Sequence, residues 1–248
     1  MSKLVLVTGA SRGIGAATAL LAARHGYTVA VNYSANSLAA DDVARQIRQA
    51  GGQAMTLRAD VSNEAQVVAM FEKIDARFGR LTALVNNAGI VDQTARVDAM
   101  TLQRLRRMFE VNVFGSFLCA REAVKRMSTR YGGAGGSIVN VSSAAARLGS
   151  PGQYVDYASA KGAIDTFTLG LAKEVADEGI RVNAVRPGII DTGIHASGGL
   201  PDRARDAASQ LPMRRAGSAE EVAEAIVWLL GDGASYCTGA LLDVAGGR

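Results

Sequence analysis

Seven short runs rich in Val, Ile and Leu recur along the chain, at 3–8, 28–33, 53–58, 82–86, 137–142, 181–186 and 240–244. Helix-forming stretches separate them, near 14–25, 37–50, 63–78, 101–130, 154–178 and 218–231. Most of the apolar runs show little polar alternation, the pattern of strands covered on both faces. Strands that alternate with helices in this way build a parallel sheet with helices on both sides and right-handed crossovers. The expected fold is therefore α/β: a doubly wound, Rossmann-type sheet of seven parallel strands. Ligands of such sheets bind beyond the strand carboxyl ends, where the winding reverses. The loops after Thr8, Tyr33, Arg58, Asn86, Ser142 and Arg186 should gather along that edge. Gly26, Gly79 and Gly179 stand where helices should stop, and Asn63 and Ser218 where they should start. Glu221 completes a capping box with Ser218.

The first strand-to-helix junction reads Thr8-Gly9-Ala10-Ser11-Arg12-Gly13-Ile14-Gly15. Glycines let the backbone turn sharply and let a pyrophosphate approach, while the free N–H groups and dipole of the helix favour its charge. The spacing is Gly-x3-Gly-x-Gly, not the commoner Gly-x-Gly-x2-Gly. A glycine turn alone is a weak signal; at this junction it indicates a dinucleotide site.

Bulk properties narrow the classes of function. With 248 residues and 48% hydrophobic content, the chain reads as one domain, 1–248, around one large core. No apolar run approaches the roughly 18 residues of a membrane span, and the segment before the glycine turn is too short for a secretory signal. A cytoplasmic protein without a membrane partner is expected. Cys119 and Cys237 read as buried thiols, not as a disulfide. With only His25 and His195, neither a metal site nor a Ser/His/Asp triad has obvious material. His25 fits a helix C-terminus, and His195 falls in a loop, where lining a pocket is the less favoured reading. The net charge of +4 is spread without a basic block interleaved with aromatics, so no nucleic-acid partner is expected.

The segment Tyr154-Val155-Asp156-Tyr157-Ala158-Ser159-Ala160-Lys161 opens the helix after the fifth strand. Tyr157 and Lys161 lie four apart and share a helix face. The plain reading is an amphipathic helix whose lysine reaches solvent. The chemical reading is a phenol whose pKa, ordinarily near 10, is lowered by an adjacent ammonium until it can exchange a proton. Tyr154 competes for the role, but only Tyr157 has a lysine one turn later. Ser142 and Ser143 end the preceding strand on the same edge, where a hydroxyl could hold a carbonyl oxygen. A phenol, a hydroxyl and a dinucleotide cradle together make a site for hydride transfer between a carbonyl and an alcohol.

At this point the chain resembles the classical short-chain dehydrogenases/reductases over essentially its whole length. The resemblance rests on the glycine turn at 8–15, Asp60-Val61, Asn86-Asn87-Ala88-Gly89, Asn112, Ser143, Tyr157-x3-Lys161 and Pro187-Gly188, in family order. Thr238-Gly239-Ala240 and Gly246-Gly247 also look like the family's ending. The nearest likeness is to 3-oxoacyl-carrier-protein-reductase-like and glucose-dehydrogenase-like members. The resemblance implies Tyr157 as acid/base, with Lys161 lowering its pKa and holding the nicotinamide ribose. It implies Ser143 as the group orienting the substrate oxygen, with Ser142 the alternative, and Asn112 as support for a proton relay to Lys161. Asp60 and Val61 would flank the adenine, and Asn87, Ala88 and Gly89 the ribose side. Pro187, Gly188, Ile190 and Thr192 would meet the nicotinamide end.

NAD sites usually place an acid at the end of the second strand, against the ribose 2′-hydroxyl. Here that end reads Asn32-Tyr33-Ser34-Ala35-Asn36, with no carboxylate before Asp41. Neutral donors and Arg12 suit a 2′-phosphate, so NADP(H) is favoured over NAD(H). The region about 190–215 is the least regular of the second half and reads as a substrate loop, its small-molecule carbonyl or alcohol unspecified. The helix at 154–178 is apolar on more than one stripe, which predicts a homo-oligomer, tetramer or dimer. The rival reading is a catalytically silent dinucleotide-binding scaffold or sensor on the same fold. A nucleotide-sugar epimerase or dehydratase would ordinarily be longer and carry the other glycine spacing.

Overall fold

The computed structural model describes residues 3–248. Seven parallel strands, β1 (Lys3–Val7), β2 (Tyr27–Tyr33), β3 (Ala54–Arg58), β4 (Ala83–Asn86), β5 (Gly136–Val141), β6 (Ile180–Pro187) and β7 (Leu241–Val244), form one sheet in the order β3-β2-β1-β4-β5-β6-β7. Winding runs outward from β1 to β3, then returns to the other side of β1, so the crevice opens at the carboxyl ends of β1 and β4. The register there is Val7 opposite Val31 on one side and Val85 on the other.

The missing polar alternation follows from two core layers. Val5, Val7, Val29, Val31, Val85, Val139 and Val185 pack in the layer of α1 (Gly13–Arg24), α2 (Ser37–Gln49) and α10 (Ala219–Leu230). Leu4, Leu6, Ala30, Leu84, Ile138 and Val182 point the other way, toward α3 (Glu64–Phe78) and α5 (Gly115–Met127). Both sets of alternate residues are thus apolar. Asn63 caps α3 by accepting from Gln66 N–H, and Ser218 and Glu221 form the expected capping box on α10. Cys119 is buried and Cys237 half-buried, both as free thiols. No described helix is long and apolar enough to cross a membrane.

Two long helices differ from the sequence reading. The stretch 101–130 divides into α4 (Leu102–Phe109), a π-turn (Glu110–Phe114) and α5. The cause is Asn112, whose amide donates to the Met108 carbonyl at 3.0 Å and so takes the acceptor a regular helix would give to the backbone N–H of residue 112. The stretch 154–178 is α7 (Val155–Glu174), then a 3-10 turn (Ala176–Glu178) closed by Gly179 in the left-handed region. Three short helices fall in what read as loop: α6 (Ala145–Leu148), α8 (Ile194–Ser197) and α9 (Arg203–Ala207).

Candidate active site

The glycine turn is fixed by side chains from three strands. Thr8 Oγ1 accepts from the Asn87 and Ala88 N–H groups, each at 3.0 Å, and Asn87 Nδ2 donates to the Thr8 and Gly9 carbonyls at 2.8 and 3.1 Å. Gly9 has φ +61°, and a Cβ there would stand 2.9 Å from Ala88 Cα; one on Gly15 would stand 2.4 Å from Asn87 Nδ2. Arg12 occupies the cap position of α1 without a side-chain cap bond, and the first turn holds no acid. The N–H groups of Gly13, Ile14 and Gly15 therefore have no internal anion, which fits the pyrophosphate of a dinucleotide.

Asn32, expected to meet the cofactor, is engaged inside the protein. Its Oδ1 accepts from Gly9 N–H at 3.1 Å, and its Nδ2 donates to the Leu57 and Ala59 carbonyls at 3.2 and 3.0 Å. The amide holds the turn in place and its side chain is closed to a ligand. Tyr33 is half-buried and Ser34 exposed, and no carboxylate follows them before Asp41. Sheet register sets Arg58 opposite Tyr33, and Arg58 Nε donates to the Ser34 carbonyl at 3.3 Å. The sequence reading missed this second cation. Ser11 and exposed Arg12 lie in the turn itself, with Arg12 Nη1 3.8 Å from where a Cβ on Gly193 would stand. Asp60 bonds the Ser62 hydroxyl at 2.6 Å and Arg107 at 3.3 Å, and Val61 is buried against Gly115.

One cavity unites Ile14, Asn87, Gly89, Ser143, Tyr157, Lys161, Pro187, Gly188, Ile190 and Thr192. Strand ends and the start of α7 deliver these groups to the switch-point edge. Ser143 and Tyr157 line this cavity together, and the Ser143 hydroxyl, which accepts from Ala145 N–H at 3.1 Å, counters the upward push of burial on the Tyr157 phenol. Ser142 also contributes to the wall, but its hydroxyl donates to Asp165 at 2.6 Å, and Asp165 in turn is paired with Arg186 at 2.8 Å. Asn112 lies behind the cavity: its amide donates to the Ile90 carbonyl at 3.0 Å and accepts from Ile90 N–H at 3.1 Å. A Cβ on Gly89 would come within 2.7 Å of Asn112 Oδ1 and 3.6 Å of Lys161 Nζ, so the glycine keeps open the space between them.

Burial pushes the Tyr157 phenol up to about 12, against the Ser143 hydroxyl and the charge of Arg203. Lys161 Nζ donates to the Val141 carbonyl at 2.7 Å and lies 5.6 Å from the centre of the Tyr157 ring. Burial pushes its own ammonium down to about 8, against the attraction of Asp165. The ammonium is thus directed at a backbone oxygen and weakened.

The irregular segment folds over this cavity. His195 is in α8 and lines the cavity, with Nε2 donating to the Ile190 carbonyl at 2.8 Å. Burial lowers its pKa, so the ring is neutral near pH 7. Tyr154, which the sequence set against Tyr157, is buried and donates its hydroxyl to the Gly198 carbonyl at 3.2 Å. It anchors the lid. Arg203 and Arg248 also line the cavity, and neither was singled out from sequence.

A doubly wound sheet with a glycine cradle, a phenol and a lysine at its switch point defines a dinucleotide-dependent oxidoreductase class. Comparison with known proteins narrows it. Residues 9–248 match the family model described as Enoyl-(Acyl carrier protein) reductase. An uncharacterized oxidoreductase, YgfF, of Escherichia coli (strain K12) is 61% identical over 99% of both chains. A cis-4-hydroxycyclohexanecarboxylate dehydrogenase of Sinomonas cyclohexanicum is 43% identical over 99% of this chain and 96% of its own. The structure of a doubly substituted short-chain dehydrogenase/reductase of Serratia marcescens superimposes with a TM-score of 0.90 at 34% identity, covering 100% of this chain and 98% of that one. The chain belongs to the short-chain dehydrogenase/reductase family, with the 3-oxoacyl-carrier-protein-reductase-like character that its motifs indicated. It is an oxidoreductase of small molecules that works with a nicotinamide dinucleotide.

Proposed function

We propose that the protein interconverts a secondary alcohol and its ketone with NADP(H), Tyr157 serving as the acid/base. The observation that carries this reading is the convergence of Tyr157, Ser143 and Lys161 on one cavity with the residues of the glycine cradle. A bound nicotinamide dinucleotide supplies the hydride donor or acceptor. In the oxidative direction Tyr157, ionised to its phenolate, would take the alcohol O–H proton while the carbinol hydrogen would leave with its electron pair as hydride to a bound dinucleotide. In reduction Tyr157 returns that proton to the carbonyl oxygen, which the Ser143 hydroxyl orients by hydrogen bonding. Lys161 would hold the nicotinamide ribose, and Asn112 holds Ile90 and the wall beside Gly89. The relative named for cis-4-hydroxycyclohexanecarboxylate acts on a secondary alcohol, which supports that substrate class.

NADP(H) is favoured because Arg58 reaches the Ser34 carbonyl at the end of β2, Arg12 stands exposed in the glycine turn, and no acid follows Ser34 before Asp41. A homo-oligomer is favoured by the apolar side chains that α5 and α7 leave exposed. A silent scaffold is the weaker reading, because both Tyr157 and Lys161 are present in the cavity. The test is Tyr157→Phe, assayed on a panel of ketones with NADPH and NADH. Turnover should fall by about 10²–10⁴ while NADPH affinity stays near that of the wild type. Retained turnover would refute the acid/base role, and a preference for NADH would refute the cofactor.

A further inference from the structure

The lid brings into the cavity a charge that proton exchange at Tyr157 does not need. Arg203, the first residue of α9, is half-buried with its guanidinium over the Tyr154 ring, 5.1 Å from the centroid. Among the described residues it forms no ion pair, while nearby Arg205 pairs with Asp202 at 3.0 Å and Asp206 at 3.3 Å. Arg248 lines the same cavity, held by its carbonyl, which accepts from Arg147 Nη2 at 3.0 Å. Burial, with Arg203 adding to it, lowers the Arg248 pKa; Arg203 also depresses the proton affinity of Tyr157 and His195. Among the described residues that line the cavity, none is Asp or Glu.

Two guanidinium groups that share one partly dry cavity, with no Asp or Glu among its described lining residues, repel and lose hydration together. An anion between them removes both costs. Tyr154 fixes one partner, its ring under the guanidinium and its hydroxyl on the lid carbonyl of Gly198. Val91, Leu148 and Ile194 supply apolar wall of the same cavity. The fork of a guanidinium matches the two oxygens of a carboxylate. We propose that Arg203, aided by Arg248, recognises a carboxylate on the substrate, so that the substrates are small hydroxy or oxo acids with an apolar skeleton. The proposal rests on the carbonyl/alcohol reading above, and its test separates the two.

The test measures binding and turnover apart, using the full chain and the variants Arg203→Gln, Arg203→Lys and Arg248→Gln. Isothermal titration of NADP-saturated protein compares cyclohexanecarboxylate with cyclohexanecarboxamide, equal in shape and different in charge. The carboxylate should bind the wild type about tenfold or more tightly than the amide, Arg203→Gln should erase the difference, and Arg203→Lys should keep part of it. Arg248→Gln should narrow the difference without erasing it. Turnover of 4-oxocyclohexanecarboxylate relative to its methyl ester should fall by about ten- to hundredfold in Arg203→Gln. Equal affinity for the two probes, no binding of the carboxylate, or equal loss of acid and ester turnover in Arg203→Gln would overturn the proposal. So would a selective loss of NADP affinity in that variant, which would make Arg203 a cofactor ligand. Carboxylate binding without turnover would keep the anion site and refute the reaction assigned to Tyr157.

Discussion

Asp156, one residue before Tyr157, accepts from both Nε and Nη2 of Arg104, at 2.7 and 3.2 Å. The carboxylate is fully covered and the guanidinium nearly so, with 0% and 11% of the side chains exposed. Arg104 Nη1 also donates to the Gln93 carbonyl at 2.6 Å, so one side chain ties α4, the segment after β4 and the first turn of α7. Breaking this pair strands a buried charge. Arg104→Met should cost about 3–5 kcal/mol of stability, and Arg104→Met with Asp156→Leu should recover most of it. Urea denaturation of both variants checks this; a double variant as weak as the single would show that the carboxylate was never the source of the loss.

The adjacent serines should separate cleanly. Ser142 is bonded into the Asp165–Arg186 pair, so Ser142→Ala removes a buried partner of a carboxylate and should cost about 1–3 kcal/mol with turnover largely kept. Ser143 lines the cavity with Tyr157 and its hydroxyl accepts, among the described residues, only from Ala145 N–H, so Ser143→Ala should cost less stability than Ser142→Ala and lower kcat by about 10²–10³. Melting curves read beside kcat decide the matter. The reverse pattern would make Ser142 the catalytic hydroxyl.

Lys161 links function to a stability cost with a defined pH window. Its ammonium is pushed from 10.5 down to about 8 in the folded chain, so between those values the unfolded chain binds more protons and stability rises with pH. Below pH 8 the full cost of burying the charge is present. Lys161→Met removes it, at the loss of the bond to the Val141 carbonyl. The variant should therefore be more stable than wild type at pH 7, by about 1–2 kcal/mol, and nearly inactive. Its advantage should shrink as pH is raised through 8 toward 10.5. Denaturation midpoints across that range provide the check, and a destabilised variant at pH 7 would refute the cost.

Much of this architecture was legible because its causes are local. The central strands are apolar on both faces and bounded by turn residues, and the caps Asn63 and Ser218 bond only three residues ahead. Tyr157 and Lys161 are legible for the same reason, since helix geometry alone pairs them. The π-turn was not, because it arises where the Asn112 side chain turns back onto the Met108 carbonyl while also bonding Ile90, 22 residues away, which periodicity does not encode. Arg58 reaches Ser34 only through strand register, across 24 residues. Arg203 becomes part of the cavity only because the lid folds back onto Tyr154, and a short irregular segment carries no signal of where it lands.

The exposed apolar side chains at the end of the π-turn and on α5 and α7 give the last prediction. Phe114, Phe117 and Leu169 are 55%, 46% and 40% exposed, and Phe117 stacks on Phe167 with ring centroids 3.8 Å apart. Clustered aromatic exposure of this kind marks an interface more often than a solvated face. A charge at its centre, Phe117→Asp, costs little in a monomer, where the ring is half solvated, but strands an unpaired carboxylate in a helix-to-helix contact between copies. Light scattering should find a dimer or tetramer for the wild type and a smaller species for Phe117→Asp at the same concentration. The circular dichroism spectrum of the variant should stay that of the wild type, because the sheet and its two core layers do not depend on this ring. A wild type that is monomeric at all concentrations, or a variant of unchanged mass, would mean that this face is simply solvated.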